Sequence, residues 1–263
     1  MCKNCGCSGG HHHDELGNGH HHDDHEGEHV HYDEHGNPYT HSHKTVALET
    51  AVLAANDAEA TKNRRWLNAA GVTAFNLISS PGAGKTALLE RTLKELLRAG
   101  VKCAVIVGDQ YGELDAERIR RTGVPVTQIE TGESCHLNAG HIGAVLAEAV
   151  PKGTSVLFIE NVGNLVCPTA FDLGERMKIA LLSSPEGEEK PLKYPALFAA
   201  ASLVLLTKAD LDDVLGYNRV MAVQNVYRIN PDARIIEISA RTGQGMAEWI
   251  EWLLVTTNER IEI

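Results

Sequence analysis

The stretch Leu77-Ile-Ser-Ser-Pro-Gly-Ala-Gly-Lys-Thr-Ala-Leu-Leu89 decides how this chain folds. An apolar run ends at Ser79, a turn of small residues follows, and a helix-forming run begins behind Lys85 and Thr86. Backbone N–H groups in such a turn, together with the positive end of the helix dipole, bind phosphate. Lys85 would reach the β- and γ-phosphates, and the Thr86 hydroxyl would bind Mg²⁺. The stretch therefore predicts a nucleotide site, although Ser79 replaces the glycine that usually opens this pattern.

The residues of this loop that we expect to contact nucleotide are its glycines, its lysine, its threonine and the alanines beside them. They are Gly82, Ala83, Gly84, Lys85, Thr86 and Ala87. A chance Gly-Lys-Thr turn is the alternative interpretation. A strand-like run before the loop and a helical run after it favour the nucleotide site.

Seven apolar runs of strand-like composition alternate with helical runs in the rest of the chain. They are Thr73–Ile78, Cys103–Val107, Val124–Ile129, Ser155–Ile159, Met177–Leu182, Leu203–Leu206 and Ile235–Ile238. Nearly continuous apolar strands separated by helices are typical of a parallel sheet that is covered on both faces. The pattern predicts an α/β P-loop NTPase fold with a mainly parallel, seven-stranded sheet flanked by helices.

The amino-terminal residues differ in composition from the other parts of the 263-residue chain. Residues 1–45 contain 12 of the 14 histidines, 8 acidic and 2 basic residues, and few aliphatic side chains. Such a segment cannot bury a core. We expect a flexible, disordered Cys/His-rich metal-binding tail at 1–44, a helical lead-in at 45–71 and a P-loop domain at 72–263.

The charge and the apolar runs exclude several classes of protein. The formal net charge is −11, so the chain has no basic surplus for a nucleic-acid partner. No apolar run approaches the length of a membrane span, and the first residues are polar rather than signal-like. We expect a cytoplasmic protein, in which six cysteines indicate metal or redox chemistry rather than disulfides.

Three cysteines at the start of the chain form a candidate metal site. Cys2, Cys5 and Cys7 are close enough in sequence for their sulfurs to converge without a fold around them. Thiolates in this spacing suit soft or borderline metal ions. The alternatives are a redox pair and a terminus without function. The histidine clusters that follow could bind zinc, nickel or copper, or could be a solvated polar tail.

The lead-in segment shows apolar residues at helical spacing. Val46, Leu48, Val52 and Leu53 begin the pattern, and Trp66 and Leu67 appear later. This spacing predicts one helix or two, packed against the core by these side chains.

Acidic residues follow two of the predicted strands and are candidates to hold Mg²⁺. Asp109 follows one strand, and Glu160 opens Glu160-Asn-Val-Gly163 after another. Ligands in a parallel sheet bind at the carboxyl ends of the strands, so either carboxylate would lie beside Thr86. We therefore assign the catalytic role to Lys85, Thr86, Asp109 and Glu160. Asp115 is either a switch residue or an ordinary acid at a helix start.

Two later strands lead into residues that would read the base. One runs into Thr207-Lys-Ala-Asp210 and the other into Ser239-Ala-Arg-Thr-Gly243. The Asp210 carboxylate can accept both the N1–H and the amino group of guanine, and adenine offers no such pair of donors. The stem of Lys208 would cover the base, and backbone N–H groups near Ala240 and Arg241 would meet guanine O6. These residues predict GTP rather than ATP.

A second candidate metal site comes from two separate segments. Cys135 and His136 follow one strand, and Cys167 follows Glu160-Asn-Val-Gly163. In a parallel sheet both segments leave the same edge, so two thiolates and an imidazole can meet there. The alternative is two buried cysteines and a capping histidine. His141 is an uncertain further ligand, and Cys103 lies within a strand as an expected core residue.

Together these motifs resemble the hydrogenase nickel-incorporation GTPases of the HypB family. The resemblance covers nearly the whole chain, from Cys2-x-x-Cys5-x-Cys7 through the phosphate loop, Cys135-His136 and Glu160-Asn-Val-Gly-Asn-Leu-Val-Cys-Pro168 to Thr207-Lys-Ala-Asp210. Two features vary from a common form: Thr207 stands where Asn is frequent, and Gln110-Tyr-Gly-Glu113 occupies a variable stretch.

The resemblance implies a Mg²⁺-dependent GTPase that dimerises on nucleotide binding and helps to load Ni²⁺ into the large subunit of [NiFe] hydrogenase. It implies a small nickel metallochaperone as partner, nickel at the amino-terminal cysteines, and a Zn²⁺/Ni²⁺ site of Cys135, His136 and Cys167 at the dimer interface. Three alternatives stay open: a urease-type nickel GTPase, a nickel or zinc storage protein, and a small-molecule P-loop kinase.

Overall fold

The computed structural model describes the backbone of residues 29–32, 38–41 and 43–258, and the side chains of Leu48 and of residues 50–257. Two short strands, β1 (His29–Tyr32) and β2 (Pro38–His41), pair antiparallel ahead of the main domain. The predicted ligands Cys2, Cys5 and Cys7, and the predicted disorder of the tail around them, lie outside the described residues.

The main domain is built on a seven-stranded sheet in which all neighbouring strands are parallel. Its strands in chain order are β3 (Thr73–Ser79), β4 (Cys103–Asp109), β5 (Val126–Glu130), β6 (Val156–Glu160), β7 (Met177–Ser183), β8 (Leu203–Thr207) and β9 (Arg234–Ile238). Their spatial order is β5-β4-β6-β3-β7-β8-β9. The predicted fold class is therefore confirmed, with all seven strands in place.

Several strands run one or two residues further than their apolar runs predict. The polar residues Asp109, Glu160 and Thr207 are the last residues of β4, β6 and β8 rather than the first residues of loops. The ladder holds them there, since Glu160 pairs with Val107 and Thr207 pairs with Ser183. Backbone hydrogen bonding extends a strand past the end of its apolar side chains, so these functional candidates stand on rigid positions.

Helices connect successive strands and cover both faces of the sheet. They are α1 (His43–Ala70), α2 (Lys85–Arg98), α3 (Leu114–Arg120), α4 (Ala139–Ala149), α5 (Cys167–Ala170), α6 (Lys190–Lys193), α7 (Pro195–Ala200), α8 (Asp212–Leu215), α9 (Arg219–Ile229) and α10 (Met246–Asn258). In the described part of the chain, no helix combines the length and the apolar character that crossing a membrane requires.

The core lies on both faces of the sheet, as the alternation of side chains along β3 illustrates. Phe75 and Leu77 join the cluster that α2 and α10 cover, whereas Ala74 and Ile78 face the opposite layer. Asn76 shares the second face and is fully buried. A buried polar side chain in the central strand needs hydrogen-bond partners, and these lie in the functional region described below.

The lead-in is one continuous helix, α1, and the prediction that its apolar residues pack against the core is confirmed for Leu67 but wrong for Leu48 and Val52. Leu48 is 65 % exposed and Val52 is 43 % exposed. The buried stripe consists of Asn56, Ala60, Asn63 and Leu67, which recur at helical spacing on one face. Hydrophobicity could not reveal this face, because two of its four members are amides.

Candidate functional site

The phosphate loop has the backbone conformation that anion binding requires. Gly82 and Gly84 have φ values of 74° and 101°, a region that glycine adopts without strain. Helix α2 begins directly after Gly84 and has no side-chain cap, so its first N–H groups remain available to a phosphate. The loop also touches the segment after β6, since a Cβ at Gly163 would lie 3.0 Å from Pro81.

Lys85, Thr86 and Glu160 form a buried polar cluster at the base of this loop. The Lys85 ammonium donates to Ser79 Oγ at 3.0 Å, and the Thr86 hydroxyl donates to Glu160 Oε1 at 2.7 Å. Burial lowers the pKa of Lys85, although the nearby charge of Glu160 raises it. Burial also raises the pKa of Glu160 to about 7, against the opposing effects of Lys85 and Thr86. In both groups the effect of burial on the pKa is larger than the opposing effect of the partner's charge, as is typical of a polar site that is closed to water.

The same cluster has the donor set that Mg²⁺ prefers. The second carboxylate oxygen of Glu160 is buried and has no hydrogen-bond partner among the described residues. Such an oxygen is costly unless a cation or a cation-bound water satisfies it. Asp109 ends the adjacent strand, and its carboxylate accepts from the Gln110 N–H at 2.7 Å. The Thr86 hydroxyl in the first turn of α2 and the two carboxylates at the ends of adjacent strands are therefore oxygen donors of the kind that magnesium prefers.

The residues predicted to read the base lie together at the ends of β8 and β9. The Ser239 hydroxyl donates to Asp210 Oδ1 at 2.6 Å, and an Arg241 nitrogen lies 3.9 Å from Asp210 Oδ2. Lys208 has a φ of 58°, the one positive value of a non-glycine residue in the described part of the chain. This conformation costs energy and is concentrated at functional sites.

Thr207 joins the base-reading segment to the phosphate loop. Its hydroxyl donates to the Ala83 carbonyl oxygen at 2.7 Å, and both residues are buried. A side-chain donor is therefore present at the position where asparagine is frequent in related motifs.

The two segments of the predicted second metal site meet in the structure. The ligand atoms of Cys135, His136 and Cys167 all lie within 4.8 Å of one another. Cys135 Sγ is 4.0 Å from His136 Nδ1, and the imidazole ring packs on Phe171 with 4.0 Å between ring centroids. Burial lowers the pKa of His136 to about 4, with a further contribution from His141. The imidazole is therefore neutral at physiological pH, as a metal ligand must be.

His141 and Cys103 have structural roles. His141 lies outside the three-residue cluster, and its imidazole nitrogen accepts from the Asn138 N–H at 3.4 Å in a capping box that begins α4. Cys103 lies in β4, where burial raises the pKa of its thiol to about 12. The uncertain further ligand His141 is therefore not part of the cluster, and Cys103 is a buried core residue, as the sequence predicts.

Comparison with known proteins gives the family of the chain. Residues 73–237 match the family described as CobW/HypB/UreG, nucleotide-binding domain. The hydrogenase maturation factor HypB of Rhizobium leguminosarum bv. viciae is 48 % identical over 223 residues, which is 85 % of this chain and 74 % of that protein. The chain belongs to the HypB family of hydrogenase maturation factors.

Solved structures of HypB share the fold. The crystal structure of HypB from Helicobacter pylori in complex with nickel has a TM-score of 0.73 and 36 % identity, covering 78 % of this chain and 95 % of that one. The HypB structure from Archaeoglobus fulgidus has a TM-score of 0.73 and 38 % identity, covering 78 % of this chain and 99 % of that one. The family assignment rests on both sequence and architecture.

Three polar residues of this HypB-family site have no role predicted from the sequence. Asn161 Oδ1 accepts from the Leu137 N–H at 3.1 Å, and Asn161 Nδ2 donates to Asn76 Oδ1 at 3.2 Å. Asn161 therefore connects Glu160, its neighbour in sequence, to the residue after His136. Arg91 donates to the Ala240 carbonyl at 3.0 Å and so holds the base-reading loop against α2. The sequence offered one indication of this hydrogen-bond network, namely a polar residue, Asn76, within an otherwise apolar strand.

Proposed function

We propose that the protein hydrolyses GTP and inserts nickel during maturation of [NiFe] hydrogenase in the cytoplasm. One observation carries the proposal. A single short segment begins at Glu160, which accepts from Thr86 of the phosphate loop, and reaches Cys167, whose sulfur lies within 4.8 Å of the Cys135 and His136 ligand atoms. A nucleotide switch and a metal site would share this segment.

The phosphate chemistry would use groups that are already buried and oriented. Lys85 and the backbone N–H groups of Gly82 to Ala87 would bind the β- and γ-phosphates and stabilise the charge that grows during hydrolysis. Thr86, Glu160 and Asp109 would hold Mg²⁺. The ion would neutralise phosphate charge when bound.

Guanine would be selected by Asp210. Its carboxylate accepts from Ser239 and retains oxygen lone pairs for the N1–H and amino donors of the base. Lys208 would cover the face of the ring, and the backbone N–H groups of Ala240 and Arg241 would approach O6.

Nickel would be the cargo of the second site. Cys135, His136 and Cys167 supply two sulfurs and one neutral imidazole, a donor set suited to Ni²⁺ or Zn²⁺. The relative from Helicobacter pylori was crystallised in complex with nickel. Cys2, Cys5 and Cys7 would hold nickel before transfer, and a small nickel metallochaperone and the hydrogenase large subunit would be the partners.

Hydrolysis would change metal affinity through the shared segment. Loss of the γ-phosphate would release the segment that follows the rigid strand end at Glu160 and move Cys167 at the end of that segment. The coupling must be reciprocal, so metal at the second site would change nucleotide affinity or GTP-dependent dimerisation by the same free energy.

The test is GTP turnover together with metal-dependent oligomeric state. We expect Lys85→Ala to lower Mg²⁺-dependent GTP hydrolysis by about 10²–10³-fold, because one preorganised charge at the phosphates is lost. Lys94→Ala, an exposed lysine on the same helix, is the matched control and should hydrolyse GTP normally. Wild type should form a dimer with GTP but not with GDP, and Cys135→Ala should impair it. Preference for ATP would contradict the proposal.

Nickel storage is a second candidate function, and the 12 histidines of residues 1–45 favour it. Imidazole clusters bind several metal ions without any fold around them. Storage alone predicts many nickel equivalents per chain and no GTP turnover. Both functions together predict many equivalents, turnover, and loss of the excess equivalents when residues 1–44 are deleted.

A further inference from the structure

Helix α1 presents two buried asparagines to the loops that carry the metal-site residues. Asn56 and Asn63 are seven residues apart, which is two helical turns, and both side chains lie on the buried face of α1. The first loop runs from Cys135 into α4 at Ala139. The second runs from Cys167 through Phe171 to Gly174.

Asn56 bonds to both loops. Its side-chain oxygen accepts from the Ala139 N–H at 2.8 Å, and its side-chain nitrogen donates to the Asp172 carbonyl at 2.8 Å. Ala139 is three residues after His136, and Asp172 follows Phe171, whose ring packs on the His136 imidazole. One amide thus joins the backbone on either side of the metal site.

Asn63 repeats this arrangement two turns later. Its side-chain nitrogen donates to the Ala139 carbonyl at 2.8 Å and to the Leu173 carbonyl at 3.0 Å. An aliphatic residue could fill the same volume but would leave these buried backbone groups without their partners. The two amides therefore do more than fill space between α1 and the loops, because they also satisfy buried backbone groups of both loops.

Two glycines let the helix approach this closely. A Cβ at Gly143 of α4 would lie 2.8 Å from the Asn63 side-chain oxygen, and a Cβ at Gly174 would lie 2.7 Å from the Ala60 carbonyl. Outside the buried stripe, Arg64 Nη2 lies 2.7 Å from both carboxylate oxygens of Asp172. The contact between α1 and the loops is thus close-packed, hydrogen-bonded and ion-paired.

We propose that α1 is the positioning element of the second metal site and that Asn56 and Asn63 are its positioning residues. By bonding to both loops, they hold Cys135, His136 and Cys167 in binding range before the metal arrives. The inference rests on the proposed function, in which these three residues hold the metal. Outer contacts that orient ligands contribute strongly to metal affinity, because the ligands then need not be ordered during binding.

The experiment uses the full chain with Cys2, Cys5 and Cys7 changed to Ser, so that thiolate-to-Co²⁺ absorption reports on the second site. Co²⁺ affinity is measured in competition with a chelator, and GTP affinity is measured on the same samples without Co²⁺ but with Mg²⁺. We expect Asn56→Ala and Asn63→Ala each to weaken Co²⁺ binding by about tenfold or more. GTP affinity should stay within about twofold.

The matched control is Asn68→Ala, which removes an exposed asparagine of the same helix and should bind Co²⁺ like the parent. Arg64→Met is a milder variant that leaves the buried amides in place. Its ion pair with Asp172 is partly exposed, so we expect Co²⁺ affinity to fall by about two- to fivefold. This variant decides the question if the asparagine variants do not fold.

The outcomes separate the inference from the proposed function. Parent-like Co²⁺ affinity in both asparagine variants, with the absorption lost in Cys135→Ser, would overturn the role of α1 and leave the metal site intact. Equal losses of Co²⁺ and GTP affinity would also overturn it, because they indicate a general structural defect. Absence of thiolate absorption in the parent would overturn both proposals. Unchanged Co²⁺ affinity in Arg64→Met, where the asparagine variants do not fold, would overturn the role of α1 alone.

Discussion

The nucleotide region and the cysteine–histidine region share one edge of the sheet but are held in place differently. Glu160 and Thr207 are last residues of strands, and Lys85 and Thr86 open a helix. Cys135 and His136 lie in an irregular stretch between β5 and α4, and Cys167, the first residue of the four-residue helix α5, follows six residues of irregular chain after β6. Regular backbone hydrogen bonding positions the first set, whereas the second set lies in or directly after irregular chain, where side-chain contacts from Asn56, Asn63 and Asn161 position it.

This difference bears on how each region responds to change. A residue at a strand end is held by the whole ladder, so a substitution there alters chemistry more than geometry. A ligand on a loop depends on a few side-chain hydrogen bonds, so geometry can shift without unfolding the domain. The second kind of support would suit the metal site proposed above, which would have to both bind and release its cargo.

The largest expected effect concerns Asp210 of the nucleotide region. It tests whether a substitution in that region changes which base is bound without disturbing the fold around it. In Asp210→Asn, guanine loses the charged acceptor of two donors, and each such hydrogen bond contributes about 1.5–3 kcal/mol. The substituted amide can instead donate to the 2-carbonyl of xanthine. We expect the ratio of GTP to XTP affinity to fall by about 10³-fold in direct binding measurements.

Asp213→Asn is the matched control, since Asp213 is an exposed acid three residues further on. It should keep the wild-type preference for GTP. If Asp210→Asn also kept that preference, Asp210 would not be the guanine-reading residue.

The next effect tests whether the cysteine–histidine region can lose metal affinity while the nucleotide region keeps its GTP affinity. We expect Cys167→Ala to weaken Ni²⁺ binding at the second site by at least about tenfold, since even outer contacts of a ligand contribute that much. GTP affinity measured with Mg²⁺ but without Ni²⁺ should stay unchanged. Any effect of Ni²⁺ on GTP affinity should disappear, as reciprocity demands. Calorimetry on the chain with Cys2, Cys5 and Cys7 changed to Ser measures both affinities.

Cys103→Ala provides the comparison for this variant. Burial in β4 raises the pKa of Cys103 to about 12, so its thiol is not ionised for metal binding. Nickel affinity should therefore equal that of the parent. Parallel loss of nickel and GTP affinity in Cys167→Ala would remove the distinction between the two regions.

The smallest effect concerns the link from Thr207 to the phosphate loop. Thr207→Val keeps the shape of the side chain but removes the donor to the Ala83 carbonyl. We expect the free energy of unfolding to fall by about 1–3 kcal/mol, because a buried acceptor loses its partner. Urea denaturation measures this loss, and Thr207→Ser, which keeps the hydroxyl, should retain most of the stability. Equal stability of the valine and wild-type proteins would show that the bond is dispensable.

The order of the elements and the position of the phosphate loop could be predicted from local patterns. Each of the seven strands is an apolar run bounded by turn residues, and the loop Ser79 to Thr86 is contiguous, so neighbouring residues carry the whole signal. The register at the strand ends could not be predicted, because backbone pairing carries Asp109 and Glu160 into the sheet regardless of their polarity.

The packing of α1 shows where hydrophobicity fails. Two of its apolar residues, Leu48 and Val52, are exposed, and its buried face contains Asn56 and Asn63 as well as Leu67. A buried amide looks like a surface residue in a sequence, since only its partners, the backbone groups of Ala139, Asp172 and Leu173, make burial favourable.

The sequence by itself determined a parallel α/β sheet and a phosphate loop, and it predicts two segments that read guanine, because each of these is encoded in residues that are adjacent along the chain. Only the tertiary structure decided that Cys135, His136 and Cys167 come within 4.8 Å of one another and that His141 does not belong to that cluster. It also decided that α1 joins both loops. The physical reason is that such sites depend on distances between separate loops, which crossing helices and side-chain hydrogen bonds set and no local pattern records.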